Sequence, residues 1–118
     1  MGVACLTLSL LTLTTSQEQE AVRVTLAGEL DLSSALTFDE QLRRIEDEAD
    51  ERAVVLDLEE LKFMDSTGLR LIVNAHQRSL KAGRRLAIVH ASKAVRRILR
   101  LTGMLDRLNV VEDKPTPV

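Results

Sequence analysis

The chain has 118 residues, 45% apolar and 29% charged, with a formal net charge of −2. That is one globular domain's worth of chain, neither disordered nor membrane-spanning in composition. Two aromatics, no basic excess, a single Cys5 and two histidines exclude stacking platforms for nucleic acid, an internal disulfide and a dedicated zinc cluster, and fit a reducing cytoplasm.

The segment MGVACLTLSLLTLTT reads as a strand over roughly Cys5 to Thr14. A signal peptide is not expected, because no Lys or Arg precedes the apolar run and Arg23 is the first basic residue. The run is also too short to cross a bilayer. Leu6 stands where a myristoylation signal requires Ser or Thr. After a polar turn at SQEQE, the stretch AVRVTLAGEL alternates. Val22, Val24 and Leu26 point one way and Arg23 and Thr25 the other, which predicts a half-buried strand. Gly28, near its end, marks a bend or a close approach.

The period then changes. Ala35, Phe38, Leu42, Ile45 and Ala49 recur at helical spacing, with Ser33 or Ser34 as the expected N-cap. The run Ala53 to Leu56 is almost continuously apolar, which predicts a strand covered on both faces, as in a parallel sheet. Asp57 within that strand calls for a hydrogen-bonded structural role. Leu69, Ile72, Val73, His76 and Leu80 predict a second amphipathic helix ending at Gly83. RRLAIVH is another strand. A third helix follows, capped by Ser92, lined by Val95, Ile98, Leu99 and Thr102, and ended by Gly103. RLNVVED is a short last strand and KPTPV a tail. The short connection between the first two strands makes that pair antiparallel, and the later alternation with helices makes the rest parallel.

The join at KFMDSTGLRLIV carries the chemistry. Two hydroxyls and a glycine stand where a helix begins. A serine there either caps the helix with its oxygen, worth about 1 kcal/mol, or presents that oxygen outward. Asp65 can cap in its place, which leaves Ser66 free. Gly68 lowers helix propensity by roughly 1 kcal/mol against alanine, so it implies either a local packing demand or room for a partner or its nucleotide. Asp31 follows a strand's carboxyl end, on the rim where ligand sites gather in parallel sheets. It either turns and caps the chain before SSAL or acts together with Ser66.

Other features carry less. His76 lies on the inner helical stripe as a core or boundary residue, and His90 receives no role. Lys93, Arg96, Arg97 and Arg100 form a basic helix face, ordinarily a solvated one. A serine nucleophile would need an oriented base. His76 is nearly three turns farther along the same helix, His90 is on another strand, and the Gly-x-Ser-x-Gly elbow is absent. No catalytic residue, metal ligand or resident cofactor is expected, and no P-loop is found.

GELDLSSA, VVLDLEELKFMDSTGL and VRRILRLTGMLDRLNVV, in this order and spacing, resemble a STAS domain, and more narrowly a bacterial anti-sigma-factor antagonist of the partner-switching type. The resemblance implies an α/β fold over residues 1–118: a mixed, mostly parallel sheet of about five strands with three or four helices, in the order ββαβαβαβ. It implies that Ser66 matches the serine phosphorylated by a partner that is both anti-sigma factor and serine kinase. Asp31 matches the acidic residue near that serine, Asp65 and Gly68 match motif positions, and Thr67 is a common variant. Asp31, Asp65, Ser66, Thr67 and Gly68 are then the expected partner-binding residues. ATP and magnesium would belong to the kinase, and a phosphatase would reset the cycle. No nucleic acid and no membrane insertion are implied, and the setting is cytoplasmic. The alternative is a STAS module with another task, such as a stressosome subunit, a nucleotide sensor or a lipid-transport partner.

Overall fold

The computed structural model describes residues 3–8 and 10–111. The strands are β1 (Val3–Leu8), β2 (Leu11–Gln17), β3 (Ala21–Leu30), β4 (Ala53–Met64), β5 (Leu86–Val89) and β6 (Val110–Val111). The helices are α1 (Leu32–Ala49), α2 (Ser66–Ala82) and α3 (Lys93–Leu101). One sheet holds all six strands in the order of the chain. The pairs β1–β2 and β2–β3 are antiparallel, and the pairs from β3 to β6 are parallel. The expected α/β architecture is therefore present. The KPTPV tail lies outside the described residues.

The strand count differs at the start of the chain. The single strand expected over Cys5–Thr14 is a hairpin, with Leu8 paired to Leu11. No Asn-Gly or Asp-Gly pair announces the reversal. Its support comes from β3: the Glu29 N–H donates to the Leu10 carbonyl at 3.0 Å. Gly28, at φ +102°, lies so close that a Cβ would overlap that same oxygen. The register of β3 against β4 shifts on either side of this contact. Gly28 is thus the close approach its position suggested.

Val22 and Val24 of β3 lie beside Val54 and Leu56 of β4, and these four are buried in one core with Leu26, Leu58, Leu86 and Ile88. Alternation puts Arg23, Thr25, Val55 and Asp57 on the opposite face, where each is only half-buried. The β4 strand is therefore fully covered on one face, not two. Asp57 has the structural role expected of it: it accepts from Arg23 at 3.4 Å and from the Glu59 N–H at 3.2 Å.

The α1 stripe from Ala35 to Ala49 is buried as its period required. The α2 face is rotated from expectation. Leu69, Ile72, Ala75 and Ser79 turn inward, His76 is half-buried, and Leu80 is 66% exposed. Gly83 is the α2 C-cap and Ser92 the α3 N-cap, as read. Val95 and Leu99 bury the inner side of α3, whereas Thr102 is its exposed C-cap. The α1–α2 pair is clasped by Arg78, whose guanidinium donates to both Glu46 carboxylate oxygens at 2.8 Å. Glu46 is 4% exposed. Its hydrogen bonds and charge raise the Arg78 pKa, with a smaller charge contribution from Asp39.

Candidate functional site

The carboxyl ends of β3 and β4 run parallel, with Leu30 opposite Met64. Each strand feeds a helix, so two helix starts meet at one rim. Asp65 joins them. Its N–H donates to the Leu30 carbonyl at 3.2 Å. Its Oδ2 accepts the Leu32 N–H at 3.2 Å, and its Oδ1 accepts the Gly68 N–H at 2.9 Å. Asp65 is therefore the N-cap of α2 and also binds the start of α1. A carboxylate has acceptor capacity for both bonds.

With Asp65 as cap, Ser66 becomes the first residue of α2 and is exposed. Thr67 is half-buried. Among the described residues, no hydrogen bond engages the Ser66 or Thr67 hydroxyl. The hydroxyl of Ser66 is thus open to solvent on a helix start, with no internal base drawing its proton. Chemically it can receive a group from an outside donor.

Gly68 has a different setting from the one its neighbours suggested. It is buried, and a Cβ there would lie 2.8 Å from Leu30 Cγ and 2.9 Å from the Leu30 carbonyl oxygen. The backbone that requires a glycine is the chain's own. Room for a partner or nucleotide is not what the missing side chain provides: α2 crosses the end of β3 too closely for a methyl group.

Asp31 is the N-cap of α1, in place of Ser33 or Ser34. Its Oδ1 accepts from the Ser33 N–H at 3.0 Å and the Ser33 hydroxyl at 2.7 Å. The Ser34 hydroxyl accepts the Asp31 N–H at 3.2 Å, which closes a reciprocal capping box. The Ser33 hydroxyl foremost holds the Asp31 carboxyl below its ordinary value; burial opposes it, and the N–H groups of Ser33 and Ser34 add to the lowering. No hydrogen bond links Asp31 to Ser66 among the described residues. The two are brought together indirectly, because Leu30 and Leu32, on either side of Asp31, both bond to Asp65.

Two residues of this rim carried no sequence-level signal. Leu32 supplies the backbone donor that couples the helix starts. With Leu36, one turn on, it forms an uncharged exposed pair, at 73% and 77% exposure. The Ser34 half of the capping box was legible in principle from the three-residue spacing after Asp31. The basic α3 face has Lys93, Arg97 and Arg100 exposed and Arg96 half-buried. Among the described residues no cluster could hold a metal ion, and no helix is long and apolar enough to cross a membrane.

A six-stranded mixed sheet whose parallel strands deliver an Asp-Ser-Thr-Gly helix start beside a second capped helix start defines the class. The chain matches the STAS domain family over residues 12–115 and belongs to that family. It is similar to the anti-sigma-B factor antagonist of Bacillus subtilis (strain 168), with 28% identity over 94 residues, 80% of this chain and 84% of that protein. An anti-sigma factor antagonist from Mycobacterium paratuberculosis has the same fold, with a TM-score of 0.76 at 23% identity over 87% of this chain and 86% of that one. The Bacillus cell fate determinant SpoIIAA in its phosphorylated form aligns with a TM-score of 0.65 at 20% identity, over 86% of this chain and 92% of that one.

Proposed function

We propose that the chain is an anti-sigma-factor antagonist that works by partner switching, as a binding protein of the cytoplasm and not as an enzyme. Unmodified, it captures an anti-sigma factor that is also a serine kinase, and the sigma factor is released. The kinase, holding ATP and magnesium, transfers the γ-phosphoryl group to the Ser66 oxygen. The bond to the departing ADP breaks, and the hydroxyl proton leaves to a base of the kinase. A phosphatase hydrolyses the ester and resets the cycle.

The observation that carries this reading is the exposed Ser66 hydroxyl, left without an internal hydrogen bond because Asp65 does the capping. The names of the relatives point the same way. Phosphorylation adds about −1.5 to −2 charge. A helix N-terminus tolerates such an anion, so the scaffold keeps its fold. A charge left buried and unpaired in the interface costs on the order of 3–5 kcal/mol. At 1.4 kcal/mol per tenfold, that is roughly a hundredfold to a few thousandfold in affinity. Asp31 and Asp65 at the same rim add repulsion, and the exposed Leu32–Leu36 pair supplies apolar surface for a docked protein to cover.

The test uses anti-sigma serine kinases encoded beside this chain. Ser66→Ala should bind the kinase and escape phosphorylation. Labelling of Ser66→Ala at wild-type level would show that another residue is the target.

A further inference from the structure

The charge balance around Ser66 points to a residue that the motif does not include. Arg70 is exposed and stands one helical turn after Ser66, at the i+4 position of α2. Among the described residues it has no ion pair or hydrogen-bond partner. Residues at i and i+4 lie about 5–6 Å apart at Cβ on the same face. Helical side chains lean toward the N-terminus, so the area that Arg70 covers is the turn containing Ser66. An anion N-terminal to a cation at this spacing is also the favourable order along the helix dipole.

We propose that Arg70 clamps a phosphate placed on Ser66, forming an intramolecular phosphoserine–arginine pair across the first turn of α2. The proposal rests on the phosphorylation reading above and extends it to what happens to the phosphate once it is there. The α2 first turn contains no acidic residue, so no other side chain there competes for Arg70. Near the carboxyl ends of the parallel strands, Glu29 and Lys62 precede the ends of β3 and β4, Asp31 and Asp65 cap the helices that follow, and His90 follows β5. Asp31 and Asp65 already spend carboxylate oxygens on helix-start donors. Both repel a phosphate, which makes a nearby cation decisive. The planar guanidinium can chelate two phosphate oxygens at once, which a lysine cannot do. The clamp would hold the phosphate in its dianionic form and fix it to the scaffold. One guanidinium does not neutralise a dianion, so about one negative charge remains at the rim and still faces a docked protein, as the switch requires.

The experiment needs no partner. Full-length chain with phosphoserine installed at position 66 during translation is titrated by phosphorus NMR. The second phosphate pKa, about 6 for free phosphoserine, should lie lower in this chain than in Arg70→Ala by about half a unit or more. Arg70→Lys should fall between the two, because it restores charge without bidentate geometry. The unphosphorylated Arg70→Ala chain should melt with the wild type, and a phosphate-dependent loss of melting temperature in that variant would add support. Identical titration curves in the three chains would overturn the clamp. If the phosphate is clamped but the phosphorylated chain still captures its kinase, the clamp stands and the switch fails. If capture is lost but the titration ignores Arg70, the switch stands and the clamp fails.

Discussion

Leu30 fills the space that a side chain at position 68 would need, and its carbonyl accepts the N–H of Asp65. The end of β3 thereby sets how α2 begins. Gly68→Ala should gain helix propensity, roughly 1 kcal/mol, and lose more through overpacking against Leu30, typically 1–3 kcal/mol. A net loss in urea denaturation is expected. A more stable alanine variant would show that the crossing is looser than described.

Asp65 satisfies one donor from each of two helices, so it is worth more than an ordinary cap. Asp65→Ala should destabilise by about 1–2 kcal/mol, from a lost cap and an orphaned Leu32 N–H. Asp65→Asn should fall between wild type and Ala. Its single carbonyl oxygen can still receive Gly68 but turns an amide donor toward Leu32. Equilibrium unfolding of the three chains checks this ranking.

Asp31 gives a pH-dependent contribution whose sign is fixed. Its folded pKa is depressed, so its stabilisation is fully present above the ordinary value of 3.8 and is lost as pH falls through the lower folded value. Asp31→Asn keeps an oxygen at the cap but does not titrate. As pH falls from about 4 through the lower folded value, the variant should therefore lose less stability than the wild type. Melting temperatures across that window decide it, and parallel acid limbs would contradict the assignment.

The Arg78–Glu46 clasp predicts a contrast between single and double variants. Arg78→Ala strands a buried carboxylate and should cost on the order of 3 kcal/mol. Replacing both partners with Arg78→Met and Glu46→Leu should recover most of that loss. The comparison separates the penalty of breaking the pair from the net worth of having it. Equal losses in the single and double variants would show that Glu46 does not need its partner.

Much of this arrangement was legible in the amino-acid order. The Ala35–Ala49 stripe obeyed its period, Gly28 announced its close approach, and Asp65 was the available cap that leaves Ser66 free. The misses have different physical causes, and only those at the hairpin and at Gly68 depended on a neighbour distant in sequence. The hairpin at Leu8–Leu11 is supported from β3, with no turn dipeptide of its own. The α2 face was set by Ala75 and Ser79, small residues with little hydropathic signal, so the larger Leu80 drew the stripe out of phase. Asp31, Ser33 and Ser34 are all competent caps, and only the geometry of the β3–α1 junction selects among them. Gly68 showed that something comes close but not whose atoms they are.

The most direct measurement compares the affinities of the unmodified chain and the chain phosphorylated at Ser66 for the same anti-sigma serine kinase, by calorimetry, with melting temperatures taken on the same samples. The expected result is a loss of roughly a hundredfold or more at a nearly unchanged melting temperature. Equal affinity for the two forms, or a loss seen only because the phosphorylated chain has unfolded, would contradict a switch based on local charge.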